Sequence, residues 1–184
     1  MKHFYSGQSF NPVTFSQVSV GLFLSDLDLA LRLSVLTSRN ITLIINSSGL
    51  ENVSYPLLDG LQVLHVPIQD QPHTPLRQCF DHVAEQITQN QTRTTLVHCT
   101  AGRSRSPILL AFVGLKVSAS VKQVIEQRPF IRPNAGFWRQ LMDYERALFA
   151  ALVQNLPEMH VLQLSPLWSS QTKNKLFNPK WSRK

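Results

Sequence analysis

Thr94-Thr95-Leu96-Val97, then His98-Cys99-Thr100-Ala101-Gly102-Arg103-Ser104-Arg105-Ser106-Pro107, then Ile108-Leu109-Leu110-Ala111-Phe112-Val113, is the stretch that leaves this chain the fewest ways to fold. The first run is uncharged and rich in β-branched residues, which predicts a buried strand, and the last is apolar on every face, which predicts a buried central helix. A short polar loop joins them. Ser106 is placed as the helix N-cap and Pro107 as its first helical residue, so free N–H groups and the positive end of the helix dipole point back into the loop. The loop is expected to hold an anion.

The residues inside that loop suggest which chemistry the anion meets. A thiol at a helix N-terminus beside arginine is driven towards thiolate, the nucleophilic form, and Cys99 has that setting. Arg105 offers a planar fork that grips two phosphate oxygens at once. The backbone N–H groups of Thr100, Ala101, Gly102, Arg103, Ser104 and Arg105 supply further donors, with Gly102 allowing the sharp turn. Together these donors take the place of a metal, so neither metal nor cofactor is expected. The reaction indicated is phosphoester cleavage through a cysteinyl-phosphate intermediate. A lone cysteine closing a strand is more often a small buried hydrophobe, and it is the surrounding Gly, Arg and Ser-Pro in a strand-to-helix setting that favours a nucleophile. His98 has two readings, one orienting the loop beside Cys99 and the other closing the strand as an ordinary polar residue.

A proton donor for the departing oxygen is also needed. Asp70 is the candidate, in the proline-rich loop Val66-Pro67-Ile68-Gln69-Asp70-Gln71-Pro72-His73-Thr74-Pro75 that follows the strand expected over 61–68. In an α/β sheet such loops gather at the carboxyl ends of the strands, where the Cys99 loop also lies, and a carboxyl group there can act first as acid and then as base. Taken alone, an aspartate in a proline-rich loop is more often a turn residue. Ser106, besides capping, has a hydroxyl that can donate to the Cys99 sulfur as the intermediate is hydrolysed.

These residues resemble the cysteine-based protein tyrosine phosphatases, and within them the small atypical dual-specificity phosphatases. The loop looks like that family's His-Cys-x-x-Gly-x-x-Arg-Ser signature, which implies Cys99 as nucleophile, Arg105 as phosphate clamp and Ser106 as the hydroxyl that resolves the intermediate. By the same resemblance Val66-Pro67-Ile68-Gln69-Asp70 aligns with the segment carrying the general acid. Arg128-Pro129-Phe130-Ile131-Arg132-Pro133-Asn134-Ala135-Gly136-Phe137-Trp138-Arg139-Gln140-Leu141 resembles one branch of these small enzymes, and implies that Asn134 braces the phosphate loop, although capping of the following helix also explains it. The similarity runs to about Phe149. The chain departs from the family pattern at Arg103, which adds positive charge at the loop's mouth and favours acidic substrates, and over 107–127, a few residues shorter than the usual helical hairpin and interrupted by Gly114.

Strands at 22–25, 41–46, 61–68 and 94–98 alternate with helices at about 27–38 and 76–90 and with the helices after the loop, which predicts an α/β fold. The expected architecture is a central mixed, mostly parallel sheet flanked by helices, as in the cysteine-based phosphatases. The 184 residues suit one domain. A catalytic domain over 1–156 and a basic tail over 157–184 are expected. The start lacks a secretory pattern and no apolar run spans a bilayer, so a soluble cytoplasmic protein is expected, with nuclear or mitochondrial association left open. Two cysteines make no disulfide framework, and Cys79 falls on an apolar helical stripe with Leu76, Phe80, Val83, Ala84 and Ile87. Trp138, Leu141, Met142, Leu148, Phe149 and Leu152 form another such stripe, read as core. The net charge of +7 owes much to Lys173, Lys175, Lys180, Arg183 and Lys184, read first as a solvated extension and second as a membrane-surface contact; no nucleic-acid partner is expected.

The expected function is hydrolysis of phosphotyrosine and phosphoserine or phosphothreonine in proteins, signalling kinases among them. A phosphoinositide or other acidic headgroup is the alternative substrate, because Gly102-Arg103-Ser104-Arg105 also resembles phospholipid phosphatases. A catalytically weak phosphate-binding module is the third reading.

Overall fold

The computed structural model describes residues 15–117 and 121–154. Five strands, β1 (Ser16–Ser19), β2 (Leu22–Ser25), β3 (Ile41–Asn46), β4 (Gln62–His65) and β5 (Thr94–His98), form one sheet in the order β1-β2-β5-β3-β4. β1 runs antiparallel to β2, and every other neighbouring pair is parallel. The helices are α1 (Leu27–Ala30), α2 (Leu33–Ser38), α3 (Arg77–Gln89), α4 (Arg105–Val117), α5 (Val121–Gln127) and α6 (Ala135–Gln154). Two compact units divide within α6, Met1–Glu145 and Arg146–Lys184. The first holds the whole sheet; the second is described only over 146–154, as helix. The basic tail from 157 onward lies outside the described residues.

The inner strands read as nearly continuous apolar runs because both sheet faces are covered. Phe23, Ile44 and Leu96, side by side on one face, pack with Ala30 and Leu36 from α1 and α2. Elsewhere in the core, α4 is buried from Ile108 to Val113, with Phe112 stacked on Phe80 of α3 and tilted against Tyr144 of α6. Such aromatic contacts contribute about 0.5–1.5 kcal/mol each beyond their burial. Helix α4 continues unbroken through Gly114.

Four expectations are corrected. The helix expected over 27–38 is two short helices separated by Arg32 in an extended conformation. Its leucines explain why: Leu27, Leu29, Leu31 and Leu33 alternate with period two, a pattern that a continuous helix cannot turn to one side. The strand expected over 61–68 pairs only over Gln62–His65. Val66 adds one hydrogen bond to the Asn46 carbonyl at 2.8 Å, and the next amide due to face β3, that of Ile68, turns back to the Val66 carbonyl at 2.8 Å and ends the ladder. Ser106 is not the N-cap and Pro107 is not the first helical residue. Helix α4 starts at Arg105, and the Ile108 amide reaches the Ser104 carbonyl at 3.2 Å, so Ser104 holds the capping place. Pro107 is tolerated because first-turn amides have no helical partner in any case. The stripe on α6 is rotated by one residue: Phe137, Leu141 and Tyr144 are buried, while Trp138, Met142 and Leu148 are half-buried. The side chains of Phe149 and Leu152 lie outside the described residues. Strand β1 had no expectation at all, since Ser-Gln-Val-Ser offers a single apolar residue.

Candidate active site

Parallel strands bring their carboxyl ends to one edge, and here β2, β3, β4 and β5 each send a loop from that edge. The loop after β5 is Cys99 to Ser104. Its carbonyls are taken up by donors elsewhere: Thr100 accepts from the Leu27 amide at 3.1 Å, Gly102 from Arg128 Nε at 2.7 Å, and Arg103 from the Arg132 amide at 2.6 Å. In a planar trans peptide the next N–H points opposite to the carbonyl, so the amides of Ala101, Arg103 and Ser104 turn towards the loop's interior. The Ser104 carbonyl is used by helix α4, which points the Arg105 amide the same way. An anion cradle thus follows from where the carbonyls are tied.

Cys99 lies on the floor of this cradle, 1% exposed. The Ser106 hydroxyl, fully buried, donates to its Sγ at 3.2 Å. That is the contact expected of a group that steadies a thiolate. Thr100 and Ala101 are exposed at the mouth. Gly102 takes φ 62°, and a Cβ there would meet the Ser25 carbonyl oxygen at 2.6 Å, so only glycine fits.

Arg105 extends along the cradle, its guanidinium held from several sides. Nη1 donates to the Ser48 carbonyl and, at 3.5 Å, to the Ile68 carbonyl, while Nη2 donates to Thr100 Oγ1 at 3.0 Å. Its Nε is buried with no hydrogen-bond partner and lies 3.7 Å from Asp70 Oδ2. Asp70, the candidate acid, therefore stands over the loop. Its Oδ1 accepts from the Ser104 hydroxyl at 2.7 Å and from Asn134 Nδ2 at 3.0 Å. Asn134 also caps α6, its Oδ1 accepting from the Phe137 amide at 3.0 Å. The brace expected between Asn134 and the phosphate loop is thus made to Asp70 instead, because the side chain reaches the acid's loop with its amide while its oxygen is spent on the cap.

His98 does both of the things open to it. It closes β5 opposite Ser25 and Asn46, and its Nδ1 faces the Cys99 carbonyl at 3.2 Å. Since a carbonyl only accepts, Nδ1 carries the proton and Nε2 accepts from the Tyr55 hydroxyl at 2.6 Å. Burial pushes the imidazole pKa down to about 4, so it is neutral at physiological pH. Arg103 lies over the Phe130 ring, as does Arg128.

Several contributors had no expectation attached. Arg128, 1% exposed, ties Gly102 to Ser16 of β1 through Nε and, at 3.3 Å, Nη1. Burial lowers its pKa, and Asp26 and Cys99 oppose that shift. An arginine before Pro-Phe in a chain segment between helices gave a signal only through resemblance. Asn46 organises the loop after β3: its Oδ1 accepts from the amide and hydroxyl of Ser48, and its Nδ2 donates to the Leu50 carbonyl at 3.0 Å. That turn presents the Ser48 carbonyl to Arg105. An Asn-Ser-Ser-Gly run after a strand signals a turn. Cys79 takes no part: it is half-buried, donates to the Leu76 carbonyl at 2.9 Å, and burial raises its pKa to about 11.

The family model described as dual specificity phosphatase, catalytic domain, matches residues 22–147. Dual specificity protein phosphatase 14 of Mus musculus is 35% identical over 172 residues, covering 83% of this chain and 85% of that protein. Dual specificity protein phosphatase 21 of Homo sapiens is 40% identical over 143 residues, 74% of each. Among solved structures, human DUSP28 aligns with a TM-score of 0.66 at 28% identity, covering 73% of this chain and 94% of that one. DUSP15 aligns with a TM-score of 0.63 at 28% identity, covering 78% and 97%.

Proposed function

The chain belongs to the dual-specificity phosphatase family, and on that premise we propose how its residues remove phosphate from tyrosine and from serine or threonine in protein substrates. The phosphoryl oxygens take the inward amides of the 100–105 loop and the guanidinium of Arg105, whose buried Nε has no hydrogen-bond partner of its own. Phosphate so bound competes with Asp70 for Arg105 and frees the carboxyl for the leaving oxygen. The Cys99 thiolate then attacks phosphorus: an S–P bond forms, the P–O bond to the substrate breaks, and Asp70 delivers its proton to the departing hydroxyl. In the second step the Asp70 carboxylate takes a proton from water, the water oxygen bonds to phosphorus, and the S–P bond breaks. Ser106, placed 3.2 Å from Sγ, stabilises the thiolate that leaves. Inorganic phosphate departs and Asp70 is protonated again. The loop amides and Arg105 meet the charge that develops on the equatorial oxygens, the largest contribution expected in such a site.

One observation carries these assignments. Asp70, from the loop after β4, stands 3.7 Å from Arg105 and is hydrogen-bonded to Ser104, so acid, clamp and nucleophile loop share one site. A leaving-group series tests it. For Asp70→Asn, kcat/KM is expected to fall about a hundredfold or more on phosphate esters of poorly acidic alcohols and far less on those of strongly acidic phenols. Equal loss across the series would place the acid elsewhere.

Phosphorylated proteins are the substrates, and signalling kinases are proposed among them on the ground of family alone. A catalytic domain over 1–156 is proposed on the same ground, and the tail as a solvated extension and a cytoplasmic setting on composition. Among the described residues no helix is long and apolar enough to cross a membrane.

A further inference from the structure

Resting on the assignment of Asp70 as the acid, we infer that Gln140 of α6 is a positioning residue for it, acting through the backbone of the loop that carries the acid. Between Asp70 and the start of α3 at Arg77 the chain has no regular structure, and within the loop it makes only two short-range backbone bonds, Gln71 to Gln69 at 2.9 Å and Thr74 to Gln71 at 3.1 Å. What fixes it is α6. The half-buried Gln140 side chain uses both ends on this loop: Oε1 accepts from the Leu76 amide at 2.9 Å, and Nε2 donates to the Thr74 carbonyl at 2.9 Å. One turn earlier, Gly136 lies so close beneath the loop that an added Cβ would overlap the Pro72 carbonyl, itself part of the main chain. At the helix's start, Asn134 holds the Asp70 carboxylate itself.

Gly136 and Gln140, one turn apart on the same face of α6, and Asn134 at its N-cap thus grip the loop at residues 70, 72, 74 and 76. A side-chain amide is suited to this, because it offers a donor and an acceptor on one planar group to a carbonyl and an amide two residues apart. The loop leans on the helix through Pro72 and is tethered by Gln140, so Asp70 has a fixed pivot from which to reach the leaving oxygen. A loss of about 1 Å in such placement is enough to cost a hundredfold in rate.

The test uses the full chain with Gln140→Ala, Gln140→Glu and Gly136→Ala, beside Asp70→Asn and the double variant Asp70→Asn with Gln140→Ala. The readout is kcat/KM across aryl and alkyl phosphates of graded leaving-group acidity, with thermal unfolding recorded for each. Gln140→Ala is expected to lose about ten- to a hundredfold on poor leaving groups, with little change on good ones, and to add almost nothing when Asp70 is already Asn. Gln140→Glu keeps the acceptor for Leu76 but sets a carboxylate against the Thr74 carbonyl, so it follows Gln140→Ala in direction. Should Gln140→Ala fail to fold, Gln140→Glu and Gly136→Ala decide by the same signature. A folded variant with no loss, or with equal loss on every leaving group, overturns the inference. If instead Asp70→Asn itself shows no leaving-group dependence, the assignment of the acid has failed and not the clamp alone.

Discussion

His98 shows how a single side chain links the sheet to the nucleophile. It is fully buried at the end of β5, its Nδ1 on the Cys99 carbonyl and its Nε2 on the Tyr55 hydroxyl, so a second ring proton would place a charge out of water and force the Tyr55 O–H to turn away. Burial holds its folded pKa at about 4 against an ordinary 6.5. The unfolded chain therefore binds a proton near pH 6.5 that the folded chain refuses until about pH 4. Stability is unaffected by this group above the upper value, falls as pH drops between the two by about 1.4 kcal/mol per pH unit, and stops changing below the lower. Replacing His98 by Gln should remove that slope. Urea midpoints measured from pH 7 down to pH 4 are expected to fall more steeply for the natural chain than for His98→Gln, and parallel lines would contradict the neutral assignment. Arg105 makes a different point at this scale. Its terminal nitrogens donate to the Ser48 and Ile68 carbonyls and to Thr100, while Nε, beside Asp70, is buried without a hydrogen bond.

At the scale of elements, the phosphate loop is shaped by what it is tied to more than by its own bonds. Gly102 is its tightest point, with φ 62° and the Ser25 carbonyl and Arg128 both within reach of any Cβ. Gly60 has a similar φ of 75° with nothing within 4 Å of an added Cβ. Gly60→Ala should therefore cost only the left-handed backbone penalty, about 1–2 kcal/mol. Gly102→Ala should cost more than that and lower kcat/KM with it, because the loop must move off β2 to make room. Equal stability losses, with activity kept in both, would show that the approach to Ser25 is not what sets the loop's shape. The loop itself was legible from sequence, since an apolar strand, a Cys-to-Arg polar run and an apolar helix admit few arrangements. The start of α4 lies two residues before the expected one, because Ser106-Pro107 is a good helix beginning and nothing local reveals that Ser106 is needed at the sulfur. The break at Arg32 is legible in leucines spaced by two.

Across the whole molecule, the site is a product of parallel topology. Four strands deliver four loops to one edge, and each supplies a part: β2 leads to the Leu27 amide on Thr100, β3 to the Ser48 carbonyl, β4 to Asp70, and β5 to Cys99. Cys99, Arg105, Ser106 and Asp70 were identifiable because their chemistry is local or their motif is distinctive. Tyr55, Arg128 and Gln140 were not, because each acts on a backbone group or ring distant in sequence, and no local pattern marks such a pairing. In the proposed reaction Cys99 carries the phosphoryl group and Ser106 helps release it. Intact-protein and peptide mass spectrometry after acid quenching during turnover of an aryl phosphate tests this directly, with the natural chain and Ser106→Ala compared. One phosphoryl group on Cys99, at higher occupancy in Ser106→Ala than in the natural chain, is the expected result. Turnover with no phosphoryl-enzyme in either protein, or a phosphoryl group on another residue, would contradict it.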